Sequence, residues 1–71
     1  MRSEKEFLKK IGLRIRAIRM KKGWTLEQVE EKGFPSWRHF QKIEAGKNFT
    51  ILTLQKICKV LQISASDLFE D

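Results

Sequence analysis

Apolar residues recur along this chain at spacings of three and four, and they nowhere alternate with period two for more than a few positions. That rhythm is helical. Gly, Pro and capping residues divide it into five segments. The first runs from about Ser3 to Lys22. Leu8, Ile11, Ile15 and Ile18 share one face there, and Lys9, Lys10, Arg14, Arg16 and Lys21 lie mostly off it. Ser3 and Glu6 have the spacing of a capping box, and Gly23 tolerates the positive φ of a helix end. The second segment runs from Thr25 to about Lys32. Thr25 and Gln28 repeat the capping box, Glu27 suits the positive end of the dipole, and Leu26 and Val29 are its apolar residues. Gly33-Phe34-Pro35 breaks it, because Pro has no amide hydrogen and pushes Phe34 out of the α region.

The third segment starts at Ser36, a natural N-cap, and reaches about Ala45, with Phe40 and Ile43 inward. Gly46 stops it, and Lys47-Asn48-Phe49 forms a loop. Thr50 caps the fourth, which carries Leu54, Ile57 and Leu61 inward, with Ile51 and Cys58 flanking, and ends near Gln62. The fifth is a turn or two in which Ser64 and Asp67 have capping-box spacing ahead of Leu68 and Phe69. The pattern predicts an all-α, compact five-helix bundle, one domain over residues 1–71, with links of two to five residues. Its predicted core is Ile11, Ile15, Ile18, Val29, Phe40, Ile43, Leu54, Ile57 and Leu61.

Composition narrows the function. The chain has 15 Lys+Arg against 9 Asp+Glu, a net charge of +6 that points toward nucleic acid or an acidic surface. Most of the excess lies on the first helix: residues 1–24 carry +7 and residues 36–48 only +2. Its single Cys, Cys58, excludes an intrachain disulfide, and its single His, His39, excludes a multi-ligand zinc site. The apolar runs are too short for a membrane span, and MRSEKEF is no signal peptide. The expectation is a cytoplasmic, nucleoid-associated protein without metal, cofactor, small-molecule ligand or membrane partner. No nucleophile motif, phosphate loop or acid–base pair suggests an enzyme. Cys58 is expected to fill core space, and His39 to be half-buried.

The second and third segments carry the most specific signal. Two short helices joined by a tight turn containing Gly and Pro have the layout of a helix-turn-helix. The major groove of B-DNA, about 12 Å wide, admits one helix. Phe40 and Ile43 would hold the third helix from behind, while Arg38, Gln41 and Lys42 on its front have the spacing to reach base edges. Arg grips guanine O6 and N7, and Gln grips adenine N6 and N7.

In order and spacing, I-G-L-R-I-R-A-I-R, G-W-T-L-E-Q-V, F-Q-K-I-E-A-G-K-N and T-L-Q-K-I-C-K-V-L-Q-I-S-A-S-D-L-F resemble the phage-repressor/Cro-type helix-turn-helix family, the XRE family. They cover about residues 11 to 69. Within that family the compact chain most resembles the controller proteins of restriction–modification systems. The resemblance implies a lambda-repressor-like fold that binds a (pseudo)palindromic double-stranded DNA operator as a homodimer and regulates transcription. It implies base contacts from Ser36, Trp37, Arg38, Gln41 and Lys42. It implies phosphate contacts from Thr25, Leu26, Gln28, Lys47 and Asn48, and a structural ion pair between Arg19 and Glu44. The chain departs from the pattern in three ways. Leu26 stands where the family often has a phosphate-binding Gln, and Glu30 where a small residue is usual at a close helix contact. Phe34 and Pro35 replace a turn of Gly and an aliphatic residue, with Gly33 one place early.

Some assignments stay open at this level. Trp37 either packs back on the second helix or the turn near Phe34, or presses on a thymine methyl or sugar edge. Leu52, Leu68 and Phe69, apolar and late in the chain, are candidates for a dimer interface. RNA polymerase is a further candidate partner. A protein-interaction module of the same fold, with little direct DNA readout, is the alternative function. A membrane-surface reading of the basic first helix would need Leu8, Ile11, Ile15 and Ile18, which the core requires.

Overall fold

A computed structural model describes residues 3–69. Local chemistry closes each helix. In α1 (Glu4–Lys21) the Ser3 hydroxyl accepts from the Glu6 N–H at 3.1 Å. In α2 (Leu26–Glu31) the capping box is complete: Gln28 N–H donates to Thr25 Oγ1 at 3.1 Å, and Thr25 N–H donates to Gln28 Oε1 at 2.8 Å. Ser36 caps α3 (Trp37–Glu44) and Thr50 caps α4 (Ile51–Leu61). The last helix, α5 (Ser66–Phe69), begins later than Ser64, but the Asp67 carboxylate still reaches back to Ser64 N–H at 2.9 Å. No helix among the described residues is long and apolar enough to cross a membrane.

The turn between α2 and α3 shows why Gly33 sits one place early. Gly33 adopts φ +126° and donates to Glu30 O, while Phe34 N–H reaches Val29 O. This paired closure ends a helix and sends the following apolar residue back toward its last turn. Phe34 is accordingly buried, its ring edge-on to Phe40 at 4.9 Å. The departure from the family's turn is thus a working turn, with the Phe34 ring as its apolar anchor.

One apolar cluster joins the helices: Ile11 and Ile15 of α1, Val29 of α2, Phe34, Phe40 and Ile43 of the turn and α3, Ile57, Val60 and Leu61 of α4, and Leu68 of α5. Ile18 and Leu54, expected in the core, pack against it half-buried. Leu68 corrects its sequence assignment. It is 0% exposed within its own chain, so its side chain is core and lies on no free surface. The cause is α5 folding back on α1, where Arg14 Nη1 donates to Leu68 O at 2.8 Å. Leu52 and Phe69 do remain exposed, at 69% and 43%.

α3 packs between α1 and α2. Its close approach to α1 is set by Gly12, where a Cβ would lie 2.5 Å from the carbonyl oxygens of both Ile43 and Glu44. A small residue is therefore needed at a helix contact, but on α1 rather than at Glu30.

Candidate nucleic-acid interface

α3 has a sharply divided surface. Phe40 and Ile43 are fully buried, each stabilising the helix's seat by about 1.5–3 kcal/mol. Arg38, Gln41 and Lys42 are exposed on the outward side. The helix is thus held from behind while its polar front stands free.

Its first turn is fixed from two sides. Ser36 Oγ accepts from His39 N–H at 3.3 Å, so this hydroxyl already serves as the cap. Glu30, from the last turn of α2, accepts from Trp37 N–H at 2.8 Å. A carboxylate at that end of a helix is favoured by the unpaired amides and the dipole. Glu30, where small residues are usual, is therefore a bracket between the two helices of the motif. Trp37 is half-buried, and the Arg38 guanidinium lies over its ring at 5.1 Å. His39 is half-buried, with its ring 5.9 Å from that of Phe34.

Behind the polar front lies a buried ion pair. Arg19 Nε donates to Glu44 Oε2 at 2.6 Å and Nη2 to Glu44 Oε1 at 3.1 Å, and Nη1 donates to Trp24 O at 2.7 Å. The fork locks the end of α1 to the end of α3. With every charge-bearing atom engaged, the two groups are held in one geometry.

The residues expected at phosphates flank this front. Thr25 N–H is spent on the Gln28 carboxamide oxygen, which leaves the Gln28 amide hydrogens as donors. Leu26 is half-buried and offers only its backbone. Lys47 and Asn48 are exposed in the loop after α3. Lys47 N–H closes that helix onto Lys42 O at 3.0 Å, and Asn48 Oδ1 accepts from Phe49 N–H at 2.8 Å. The Lys47 side chain is the exposed charge there.

A family model for the Cro/C1-type HTH DNA-binding domain matches residues 14–71. The chain belongs to that family. No curated protein and no solved structure matches the chain. As a Cro/C1-type domain it is a DNA-binding helix-turn-helix protein, with α2 and α3 as the motif.

Three residues of this Cro/C1-type domain escaped the sequence reading: Gly12, Glu30 as a bracket, and Arg16. A Gly inside a helical pattern is itself a packing signal, and Gly12 lies one heptad before Arg19, on the same face. Arg16 lines a shallow groove with Leu26, Gln41 and Ala45, over the Arg19–Glu44 pair. Nothing in its sequence neighbourhood distinguishes it from the other basic residues of α1. Among the described residues no group of three or more His, Cys, Asp or Glu side chains is placed to hold a metal ion.

Proposed function

We propose that this protein is a sequence-specific regulator of transcription that binds a (pseudo)palindromic operator in double-stranded DNA as a homodimer, with α3 in the major groove. One observation carries the reading: α3 is anchored by fully buried Phe40 and Ile43 and presents Arg38, Gln41 and Lys42 outward. Arg38 and Gln41 supply base readout, Lys42 supports it, and Ser36 and Trp37 border it. The Thr25 hydroxyl, the Leu26 backbone, the Gln28 amide, Lys47 and Asn48 grip the flanking phosphates. Two copies related by a two-fold axis would set their half-sites about 34 Å apart, one turn of the duplex.

The test is a binding titration against an operator selected in vitro. Arg38→Ala and Gln41→Ala are each expected to cost about 1–3 kcal/mol and to relax preference at the base they face. Lys47→Ala should weaken all sequences alike and reduce the salt slope by about one. Should both α3 variants rank sequences as the wild type does, direct readout by α3 is wrong.

A further inference from the structure

We infer that Arg16, on the first helix, is a contact to the DNA backbone, taking a phosphate that Leu26 at the head of α2 has no side-chain donor to hold. The inference rests on the reading of α3 as the groove-facing helix. Its location comes first. Arg16 lines the groove formed where α1, the first residue of α2 and the outward face of α3 meet, with Leu26, Gln41 and Ala45 as neighbours. Any duplex that lies against Gln41 and the head of α2 passes in front of it.

Availability follows. Three arginines of α1 point toward other elements, and two are committed: Arg14 holds Leu68 O and Arg19 holds Glu44 and Trp24 O. Arg16 is exposed, and among the described residues no hydrogen bond or ion pair engages its guanidinium. The nearby carboxylate, Glu44, has both oxygens taken by Arg19. The groove therefore has an unspent cation at its rim. A guanidinium offers five donors in a planar fork that fits phosphate oxygens, whereas the leucine beside it offers hydrocarbon.

The same edge of α1 continues along the interface. Lys9, one heptad before Arg16 and so on the same side, lies against the loop after α3: a Cβ on Gly46 would be 3.3 Å from Lys9 Cα. Lys21 lies on the other edge, beside Ile18, Lys22, Ile63 and Asp67. The positive charge of the first helix is thus divided between an edge that borders the reading face and one that does not.

Salt-dependent titrations of the full chain separate the possibilities, with operator and scrambled duplexes and with circular dichroism melts to confirm folding. Arg16→Ala should lower affinity roughly tenfold, as expected for a lost charge-assisted hydrogen bond. It should flatten the plot of log affinity against log salt by about 0.9 and leave the ranking of sequences unchanged. Arg16→Lys should keep the slope and lose part of the affinity, and Lys21→Ala should change neither as much. A wild-type slope in Arg16→Ala, or an altered sequence ranking, overturns the assignment. Arg38→Ala reports separately on the α3 reading. If Arg38→Ala changes the ranking and Arg16→Ala keeps the slope, the Arg16 inference alone falls. If Arg16→Ala flattens the slope and Arg38→Ala leaves the ranking intact, the backbone contact stands and base readout fails.

Discussion

Arg19 and Glu44 meet in a two-bond fork, at 2.6 and 3.1 Å, with side chains only 11% and 7% exposed. They join the C-terminal ends of α1 and α3, so the pair fixes the end of α3 against α1. Breaking it by Glu44→Ala strands a buried guanidinium. We expect a loss of about 3–5 kcal/mol in urea unfolding. A loss below about 1 kcal/mol would mean the pair behaves as a surface contact.

Gly12 makes a prediction whose sign is informative. In an unobstructed helix, Gly→Ala stabilises by about 0.5–1 kcal/mol. Here the new Cβ would meet two carbonyl oxygens at 2.5 Å, and backbone cannot swing aside. Gly12→Ala should therefore destabilise, by about 1–3 kcal/mol, and weaken DNA binding by shifting α3. Thermal melts read the first effect and titration the second. A stabilised variant would show that α1 and α3 are not so close.

Glu30 brackets the start of α3 through Trp37 N–H. Glu30→Ala should cost about 1 kcal/mol, the usual value of a lost N-terminal cap. Glu30→Gln keeps an acceptor and should recover part of that loss. Equal melting temperatures for all three proteins would contradict the bracket.

Burial, and secondarily the charge of Asp67, push the Cys58 thiol above its ordinary value. Less thiolate forms at a given pH, so alkylation of the folded protein near pH 8 should be slower than in urea. The sign for stability follows: the neutral thiol is favoured on folding, and this contribution holds at neutral pH. It is lost as the pH rises from the ordinary thiol value through the raised one. Alkylation rates that match between folded and unfolded protein would contradict it.

Leu52 is 69% exposed at the start of α4. If it lies in the proposed homodimer, Leu52→Glu should shift sedimentation toward the monomer and leave the melting temperature nearly unchanged, as surface substitutions do. An unchanged sedimentation coefficient would remove Leu52 from the interface.

The helices and their ends were legible in the linear chain because their causes are local. A hydroxyl at Ser36 or Thr50, a reciprocal pair such as Thr25 and Gln28, and a Gly after the last turn act within four residues. The apolar periodicity likewise located Ile11, Ile15, Phe40, Ile43, Ile57 and Leu61 inside, and the exposed Arg38, Gln41 and Lys42 follow as the opposite face of α3. Resemblance to the repressor family supplied the pairing of Arg19 with Glu44, which no spacing rule links across 25 positions.

Other features depend on where distant elements meet, which local pattern does not encode. Leu68 and Phe69 are neighbours of similar character, yet one is core and the other exposed, because α5 folds back on α1. Glu30 reads as a charge out of place until α3 begins beside it. Arg14, Arg16 and Arg19 are three like residues on one helix. Packing gives one to the Leu68 carbonyl, one to Glu44, and leaves Arg16 at the rim of the groove beside Leu26 and Gln41. By itself the sequence determined an all-helical fold and the face of α3 that points outward, since both follow from periodicity and capping, while DNA binding came from resemblance to the repressor family. The tertiary structure decided which apolar residues stay outside and which charges remain unspent, since both depend on contacts between residues far apart in the chain.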